Sequence, residues 1–214
     1  MTSTLSALVD RATSLLDRPG RALLGVTGAP GAGKSTLTGT LLSHLSAAMG
    51  ADAVGHLPMD GFHLADVQLD RLGRRNRKGA PDTFDVDGYV AALRRLHDEP
   101  DRTLFAPGFE RDLEQPIAAA AIAIPPSARL VVTEGNYLLL PDGGWERARP
   151  LLTEVWHVEV DDDVRRERLV RRHEEFGKSP EAARAWVDQV DEPNARLISA
   201  TRDSADLVVQ LDQL

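Results

Sequence analysis

Gly28-Ala29-Pro30-Gly31-Ala32-Gly33-Lys34-Ser35 is the stretch of sequence that decides the fold. It fits G-x-x-x-x-G-K-[ST], a pattern in which a glycine-rich loop turns its backbone N–H groups inward around phosphate oxygens. The apolar run 21–27 precedes the loop and a helical pattern from Lys34 to about Met49 follows it, so we expect a strand, the loop and a helix in that order. The first turn of the helix would offer its N–H groups to the same anion. A chance match to the pattern should occur in about one chain per hundred of this length. Since the loop also lies between a predicted strand and a predicted helix, a phosphate-binding loop is favoured over a chance match.

Composition limits the classes of protein that carry this loop. The chain has 214 residues with 42% hydrophobic and 27% charged residues, which predicts a single P-loop domain over residues 1–214. It contains no cysteine, which removes disulfides and thiolate chemistry and fits the cytoplasm, where we expect the protein. A net charge of −8 argues against nucleic acid as a partner. We expect neither a signal peptide nor a membrane partner, since the opening is polar and no apolar run nears the roughly 20 residues of a membrane span.

Apolar runs alternate with helical patterns along the rest of the chain. This alternation predicts a three-layer α/β/α fold, with a mainly parallel sheet of about five strands covered by helices on both faces. The predicted strands are 21–27, 53–59, 129–133, 154–160 and 206–211. The predicted helices are 5–16, 34–49, 86–98, 145–152, 162–175 and 180–199, the last with a break near Pro193. The segment 62–85 is predicted to be irregular, and the alanine-rich run before Pro126 is compatible with a strand or a helix.

Several classes of P-loop protein remain to be separated. A GTPase usually carries Asn-Lys-x-Asp after a later strand, and this sequence has none. A motor or transport ATPase usually shows a long apolar strand ending in Asp, whereas the candidate strand here ends in Thr133-Glu134-Gly135. A P-loop ATPase or a nucleotide sensor without a small-molecule acceptor is the alternative to a kinase.

Asp60 favours a kinase. It follows the second predicted strand, and ligands of open parallel sheets gather outside the carboxyl ends of the strands. A carboxylate there could accept the proton of an acceptor hydroxyl near the outer phosphate. The competing interpretation is an aspartate that caps the next turn.

Three further segments carry a family resemblance. Pro58-Met59-Asp60-Gly61-Phe62-His63, Arg77-Lys78-Gly79-Ala80-Pro81-Asp82-Thr83-Phe84-Asp85 and Thr133-Glu134-Gly135-Asn136-Tyr137 resemble the phosphoribulokinase/uridine kinase family of P-loop kinases, which includes type I pantothenate kinases. The resemblance covers nearly the whole chain. It implies an ATP-dependent kinase with a lid, which uses ATP and Mg²⁺ and acts on a hydroxyl of a small metabolite.

The resemblance also implies roles for individual residues. Asp60 would be the base, and Lys34 and Ser35 would hold ATP and Mg²⁺. Glu134 would support the metal or the acceptor, and it ends a buried strand from which an acid can reach Mg²⁺ through water. The predicted ATP-binding residues are Gly28, Ala29, Gly31, Ala32, Gly33, Lys34, Ser35, Thr36 and Arg165.

A basic helix over residues 162–175 is the predicted lid, extending to about residue 180. Arg165, Arg168 and Arg172 recur at spacings of three and four residues and so share one helical face. That face could close over ATP and stabilise charge on the transferring phosphoryl group. Arg168 and Arg172 are the catalytic candidates, and the sequence does not choose between them. A solvated helix paired with its own acidic residues is the alternative.

The acceptor pocket is predicted from loop residues. Its candidate residues all lie in loops expected at one end of the sheet: His63, Lys78, Phe84, Phe109, Arg111, Asn136 and Tyr137. Phe84 and Phe109 fit the core equally well. Uridine kinases carry Asp-Ser-Phe-Tyr where this chain has Asp60-Gly61-Phe62-His63, and pantothenate kinases place Tyr-x-His near the position of Phe109-Glu110-Arg111. A sugar, a nucleoside and a pantothenate-like acceptor therefore all stay open, as does a homodimer.

Overall fold

Five strands form the central sheet of the computed structural model, which describes residues 4–110 and 112–211. The strands of the described residues are β1 (Ala22–Gly28), β2 (Val54–Pro58), β3 (Leu104–Glu110), β4 (Gln115–Ile124), β5 (Leu130–Glu134), β6 (Glu154–Glu159) and β7 (Leu207–Gln210). The main sheet has the order β2-β5-β1-β6-β7, and every pair in it is parallel. β3 and β4 form a separate antiparallel hairpin.

Helices cover the sheet on both faces. They are α1 (Leu5–Ser14), α2 (Lys34–Met49), α3 (Asp66–Leu72), α4 (Val86–Asp98), α5 (Asp162–Glu175), α6 (Pro180–Trp186) and α7 (Glu192–Ser199). A π-helical turn, Val187–Asp191, joins α6 to α7, and we call it the π segment. Within the described part of the chain, none of these helices combines the length and the apolar character needed to cross a membrane.

Two hydrophobic cores lie on the two faces of the sheet. Because successive side chains of a strand point to opposite faces, Leu23 and Leu24 of β1 belong to different cores. The core with Leu24 includes α1 and α2, and the core with Leu23 includes α4 and the β3–β4 hairpin. The predicted α/β fold with a five-stranded parallel sheet is thus confirmed.

Two local expectations differ from the structure, and two others are made more definite by it. The segment 62–85 contains α3, whose Leu69 is buried and which ends at Gly73 in a left-handed conformation. The alanine-rich run is a strand, because β4 pairs along its length with β3. Residues 145–152 form two short 3₁₀ turns instead of an α-helix, since Pro150 has no N–H to continue one. The irregularity predicted near Pro193 is the π segment and lies just before it.

Candidate active site

The glycine-rich loop has the shape of a phosphate cradle. Gly31 and Gly33 have φ values of 79° and 94°, which glycine adopts without the strain of a Cβ. A Cβ at Gly28 would lie 2.4 Å from the carbonyl oxygen of Val158. Lys34 reaches across the loop, and its Nζ donates to the Gly28 and Ala29 carbonyls at 2.8 and 3.0 Å. Since α2 begins at Lys34, the first-turn N–H groups of the helix face the same hollow.

Two carboxylates stand at the edge of the sheet beside this loop. Glu134 is the last residue of β5, directly opposite Val26 of β1 and Pro58 of β2. Asp60 is half-buried in the 3₁₀ turn Met59–Phe62 that follows β2. Because β5 lies between β2 and β1, both acids share the carboxyl edge with the phosphate cradle. This is the edge where an open parallel sheet binds its ligands.

His56 lies beside Glu134 at this edge. Its Nε2 lies 3.9 Å from a carboxylate oxygen of Glu134. Burial lowers the pKa of His56, which keeps the imidazole neutral near pH 7.

Gly61 and Gly135 allow the loops around Asp60 to pack closely. A Cβ at Gly61 would lie 2.2 Å from the carbonyl oxygen of Pro107 in β3. A Cβ at Gly135 would lie 2.5 Å from side-chain atoms of Met59. The β3–β4 hairpin therefore sits against the turn that carries Asp60, at a distance that a larger residue at position 61 would not permit.

Predicted acceptor residues gather on the hairpin side of Asp60. The His63 ring packs against Phe84 and Phe109, with centroids 4.0 and 5.0 Å apart. His63 Nδ1 lies 2.8 Å from the backbone oxygen of Asp60. Lys78 Nζ lies 5.6 Å from the centre of the Phe109 ring. These contacts bring four of the seven predicted residues into one cluster, which we call the acceptor cluster.

The remaining acceptor candidates lie behind this cluster or outside it. Tyr137 is fully buried, and its hydroxyl donates to the carbonyl of Gly79. The backbone oxygen of Asn136 accepts from Thr27 Oγ1 at 3.0 Å, which ties the residue to β1. Phe84 also packs against Tyr137 and Trp145, so it belongs to the core as well as to the cluster. Arg111 lies outside the described residues.

The basic helix α5 starts at the cradle. Asp161 caps it by accepting from the N–H groups of Asp163 and Val164. A Cβ at Gly31 would lie 2.8 Å from the carbonyl oxygen of Arg165, so the first turn of α5 touches the loop. Arg168 is exposed, and its Nη1 lies 3.5 Å from the position of a Cβ at Gly33.

The arginines of α5 have different surroundings. The buried guanidinium of Arg165 pairs with Asp162 and Glu192, and its Nη1 has no hydrogen-bond partner among the described residues. Burial lowers the pKa of Arg165, and its hydrogen bonds with the two acids more than offset this, so the pKa is raised overall. Arg172 is half-buried one turn after Arg168.

Sequence reasoning missed a polar group on the lid side of the site. His173 Nε2 lies 2.8 Å from Asp191 Oδ2, and Asn194 Nδ2 donates to the Gly79 carbonyl at 3.5 Å. The only sign of this group in the sequence is the helical pattern over 187–198, in which an acid and an amide lie three residues apart. Neither spacing indicates a partner, because both contacts depend on how distant segments pack.

Comparisons with known proteins agree with this architecture. No protein-family model matches the chain. A Schizosaccharomyces pombe protein named "Putative uridine kinase C227.14" is 34% identical over 214 residues, which cover 97% of this chain and 91% of that protein. The Escherichia coli protein YggC, described as uncharacterized, is 34% identical and covers 86% of this chain and 75% of its own length. A crystal structure of a "putative fructose transport system kinase" from Silicibacter sp. TM1040 shares 38% identity and a TM-score of 0.86, covering 96% of this chain and 98% of that one.

A P-loop kinase is the class that this fold and these relatives define. The chain belongs to the uridine kinase family of P-loop kinases. The resemblance carried by the motifs is confirmed, and with it the class of enzyme, an ATP-dependent phosphotransferase with an alcohol group as acceptor.

Proposed function

We propose that this kinase transfers the γ-phosphoryl group of ATP to a hydroxyl of a small metabolite, a sugar, a nucleoside or a pantothenate-like compound, with Mg²⁺ as cofactor. One observation carries the proposal: the phosphate cradle after β1, Glu134 at the end of β5 and Asp60 after β2 meet at one edge of the sheet. The acceptor cluster lies next to Asp60, so an acceptor hydroxyl bound there would approach the carboxylate from the hairpin side.

Asp60 is the proposed general base. A carboxylate within hydrogen-bond reach of the acceptor hydroxyl can take its proton as the new P–O bond forms. The close packing at Gly61 and the contact of His63 with the Asp60 backbone oxygen hold the backbone of this turn in place. A catalytic group held in place by its surroundings loses little entropy when the acceptor binds.

Lys34, Ser35 and Glu134 are the proposed ATP and metal residues. The glycine conformations and the position of Lys34 fit a triphosphate, and hydroxyl and carboxylate oxygens are the donors that Mg²⁺ prefers. Within residues 4–110 and 112–211, no three His, Asp or Glu side chains form a metal cage of their own. A Mg²⁺ ion at this edge would be held by a few protein oxygens together with phosphate oxygens. Bound Mg·ATP supplies the phosphoryl group and the charge that neutralises it.

The lid, roughly residues 162–180, completes the proposal of a single kinase domain. Arg168 and Arg172 lie on the face of α5 that continues from the cradle, where cations would stabilise charge on the phosphoryl oxygens. Arg165 remains a proposed ATP contact through Nη1. Closure of such a segment would also exclude water, which competes with the acceptor.

An ADP-release screen with Mg·ATP tests the proposed activity. Candidate acceptors are sugars, nucleosides, pantothenate and glycerate, and we expect release that depends on one of these classes. ATP turnover that is the same with and without every compound would indicate an ATPase. Binding of ATP without turnover in any mixture would indicate a nucleotide sensor.

Asp60→Asn tests the base. We expect transfer to fall by about 10²–10⁴-fold while the Kd for Mg·ATP, measured by calorimetry, stays unchanged. Asp52→Asn is the matched control, because Asp52 is exposed before the opposite end of β2. Transfer at the wild-type rate in the Asp60 variant would remove this residue as the base.

A further inference from the structure

Asp191 is a buried carboxylate that has no part in the function proposed so far. It ends the π segment and is 7% exposed. His173 of α5 holds it, with Nε2 2.8 Å from Oδ2, and since a carboxylate only accepts, Nε2 carries the proton. A buried hydrogen-bonded polar pair adds little net stability compared with an apolar pair of the same shape. Packing alone therefore gives a weak reason for an aspartate at this position.

The surroundings of Asp191 connect it to the acceptor side of the site. Asn194, one helical turn later, donates to the Gly79 carbonyl at 3.5 Å, and the Tyr137 hydroxyl donates to the same oxygen. Burial raises the pKa of the Tyr137 phenol, a hydrogen bond with Asn136 lowers it, and the charges of Asp191, Asp60 and Asp82 raise it. Asp191 therefore lies one helical turn before a residue that shares the Gly79 carbonyl with Tyr137, in the loop that carries Lys78.

The local backbone gives Asp191 its direction. The π segment departs from the α-helical repeat between α6 and α7, and π turns inside helices occur frequently at functional sites. Asp188 of the same turn points outward, where its exposed carboxylate pairs with Arg166 at 2.7 Å. One turn of helix therefore presents one acid to solvent and one to the interior.

The basic side chains of residues 74–85 are already paired with carboxylates. Residues 74–85, which we call the acceptor loop, contain four basic side chains. Each has a carboxylate within 3.3 Å: Lys78 and Arg75 with Asp66 at 2.7 and 2.8 Å, Arg77 and Arg74 with Asp82 at 2.7 and 3.3 Å. An anionic acceptor that pairs with one of these four cations would have to displace an acid while lying near Asp60. Hydroxyl groups, in contrast, can donate to those carboxylates.

We propose that Asp191 is a specificity residue of the acceptor site, and that the acceptor is an uncharged polyhydroxy compound such as a sugar or the sugar part of a nucleoside. This inference rests on the proposed kinase function. Asp191 accepts a hydrogen bond from an acceptor hydroxyl and, together with Asp60, repels carboxylate and phosphate groups.

Matched pairs of compounds test the charge preference. The full chain with Mg²⁺ and a non-hydrolysable ATP analogue is titrated with glucitol and gluconate, glycerol and glycerate, pantothenol and pantothenate, and uridine and its 5′-monophosphate. In the pair that binds most tightly, we expect the neutral member to bind at least about tenfold more tightly than the anionic member. The reason is that Asp60 and Asp191 would repel a negative charge strongly in a partly buried site.

The outcomes separate this inference from the proposed function. Tighter binding and turnover of an anionic member would overturn the charge preference and leave the kinase activity standing. Binding of no compound of either charge, while the nucleotide still binds, would contradict both.

Asp191→Asn tests the residue itself, since an amide oxygen can still accept from His173. With the best neutral member, we expect the acceptor KM to rise about tenfold, the loss of one hydrogen bond to a charged group. The preference for neutral over anionic members should fall at least about threefold, while the Kd for Mg·ATP and the melting temperature stay constant.

Asp188→Asn is the matched control, and we expect it to leave every one of these quantities at the wild-type value. A lower melting temperature in the Asp191 variant with an unchanged acceptor KM and charge preference would show that the residue is only structural and would overturn the proposal.

Discussion

Gly61 is the residue at which this site departs from the Asp-Ser-Phe-Tyr pattern of uridine kinases. The carbonyl of Pro107 occupies the space where a Cβ would lie, so position 61 accepts only glycine while the hairpin keeps its place. Uridine kinases carry a serine after the aspartate that corresponds to Asp60. A serine at position 61 would force the hairpin away from Asp60. The hairpin, and the acceptor residue Phe109 on it, therefore lie closer to the proposed base than a serine would permit.

His157 gives a prediction about pH and stability. Its side chain is 2% exposed on β6, and burial lowers its pKa despite Glu159 at 4.0 Å. In the unfolded chain the pKa of His157 is near 6.5, so the unfolded chain binds this proton more readily than the folded chain does. The free energy of unfolding should therefore fall as the pH drops below about 6.5. The slope from this residue is at most about 1.4 kcal/mol per pH unit.

Urea unfolding at pH 7.5 and pH 5.5 measures this effect. We expect His157→Gln to reduce the pH dependence, and His44→Gln, on the exposed side of α2, controls for loss of a surface imidazole. Equal pH dependence in the His157 variant and the wild type would show that other groups govern acid stability.

Predictability from sequence differs sharply between individual residues. Lys34 and Asp60 were readable, because the loop pattern and a strand end place them before any tertiary contact is known. The pair of His173 and Asp191 was not readable, since 18 residues and a change of helix type separate them along the chain. Roles of the site residues remain proposals that the mutations above test.

At the scale of elements, α5 is the clearest candidate for a catalytic device. Its first turn contacts Gly31, and Arg168 extends over Gly33 from the next turn. We expect Arg168→Ala to lower kcat by about 100-fold, the effect of removing one donor to developing negative charge, with the acceptor KM unchanged. Steady-state kinetics with the best acceptor of the screen measures both.

Arg171→Ala is the control for this prediction. Arg171 lies on the same helix but lines a groove of about 400 Å³ between α5 and α6. We expect its replacement to leave kcat within about twofold of the wild-type value, because salt and water screen an exposed charge from the phosphates. An unchanged kcat in the Arg168 variant would transfer the catalytic role to Arg172.

Local propensity failed for elements that depend on partners. The alanine-rich run of β4 has the composition of a helix, and only pairing with β3 makes it a strand. Conversely, the bounds of α5 were predicted as observed, because Asp161 caps the helix and because a stretch with so many charged residues does not fit a buried strand. Strong local signals survive folding, whereas weak ones yield to tertiary contacts.

At the scale of the whole molecule, the proposal of a single domain has a direct test. Leu8 of α1 is 1% exposed against the second core, and Arg11 pairs with Glu154 of β6 at 2.9 Å. We expect Leu8→Ala to reduce the free energy of unfolding by about 2–5 kcal/mol in one cooperative transition. Circular dichroism and tryptophan fluorescence should lose their signals together, since Trp145 and Trp156 lie in different cores.

Leu197→Ala, at an exposed position of α7, is the control and should change stability by about 0.5 kcal/mol or less. Two separate transitions in the Leu8 variant would mean that the layer formed by α1 and α2 unfolds on its own.

The π segment has a consequence for the history of this family. A π turn is equivalent to one extra residue inserted into an α-helix. Deleting one residue between Trp186 and Glu192 would restore a continuous helix and rotate everything beyond it by about 100°, which would carry Asn194 away from Gly79. A relative without the extra residue would lack this contact, so an alignment that places an aspartate at position 191 without matching the helix length does not transfer the role proposed for Asp191.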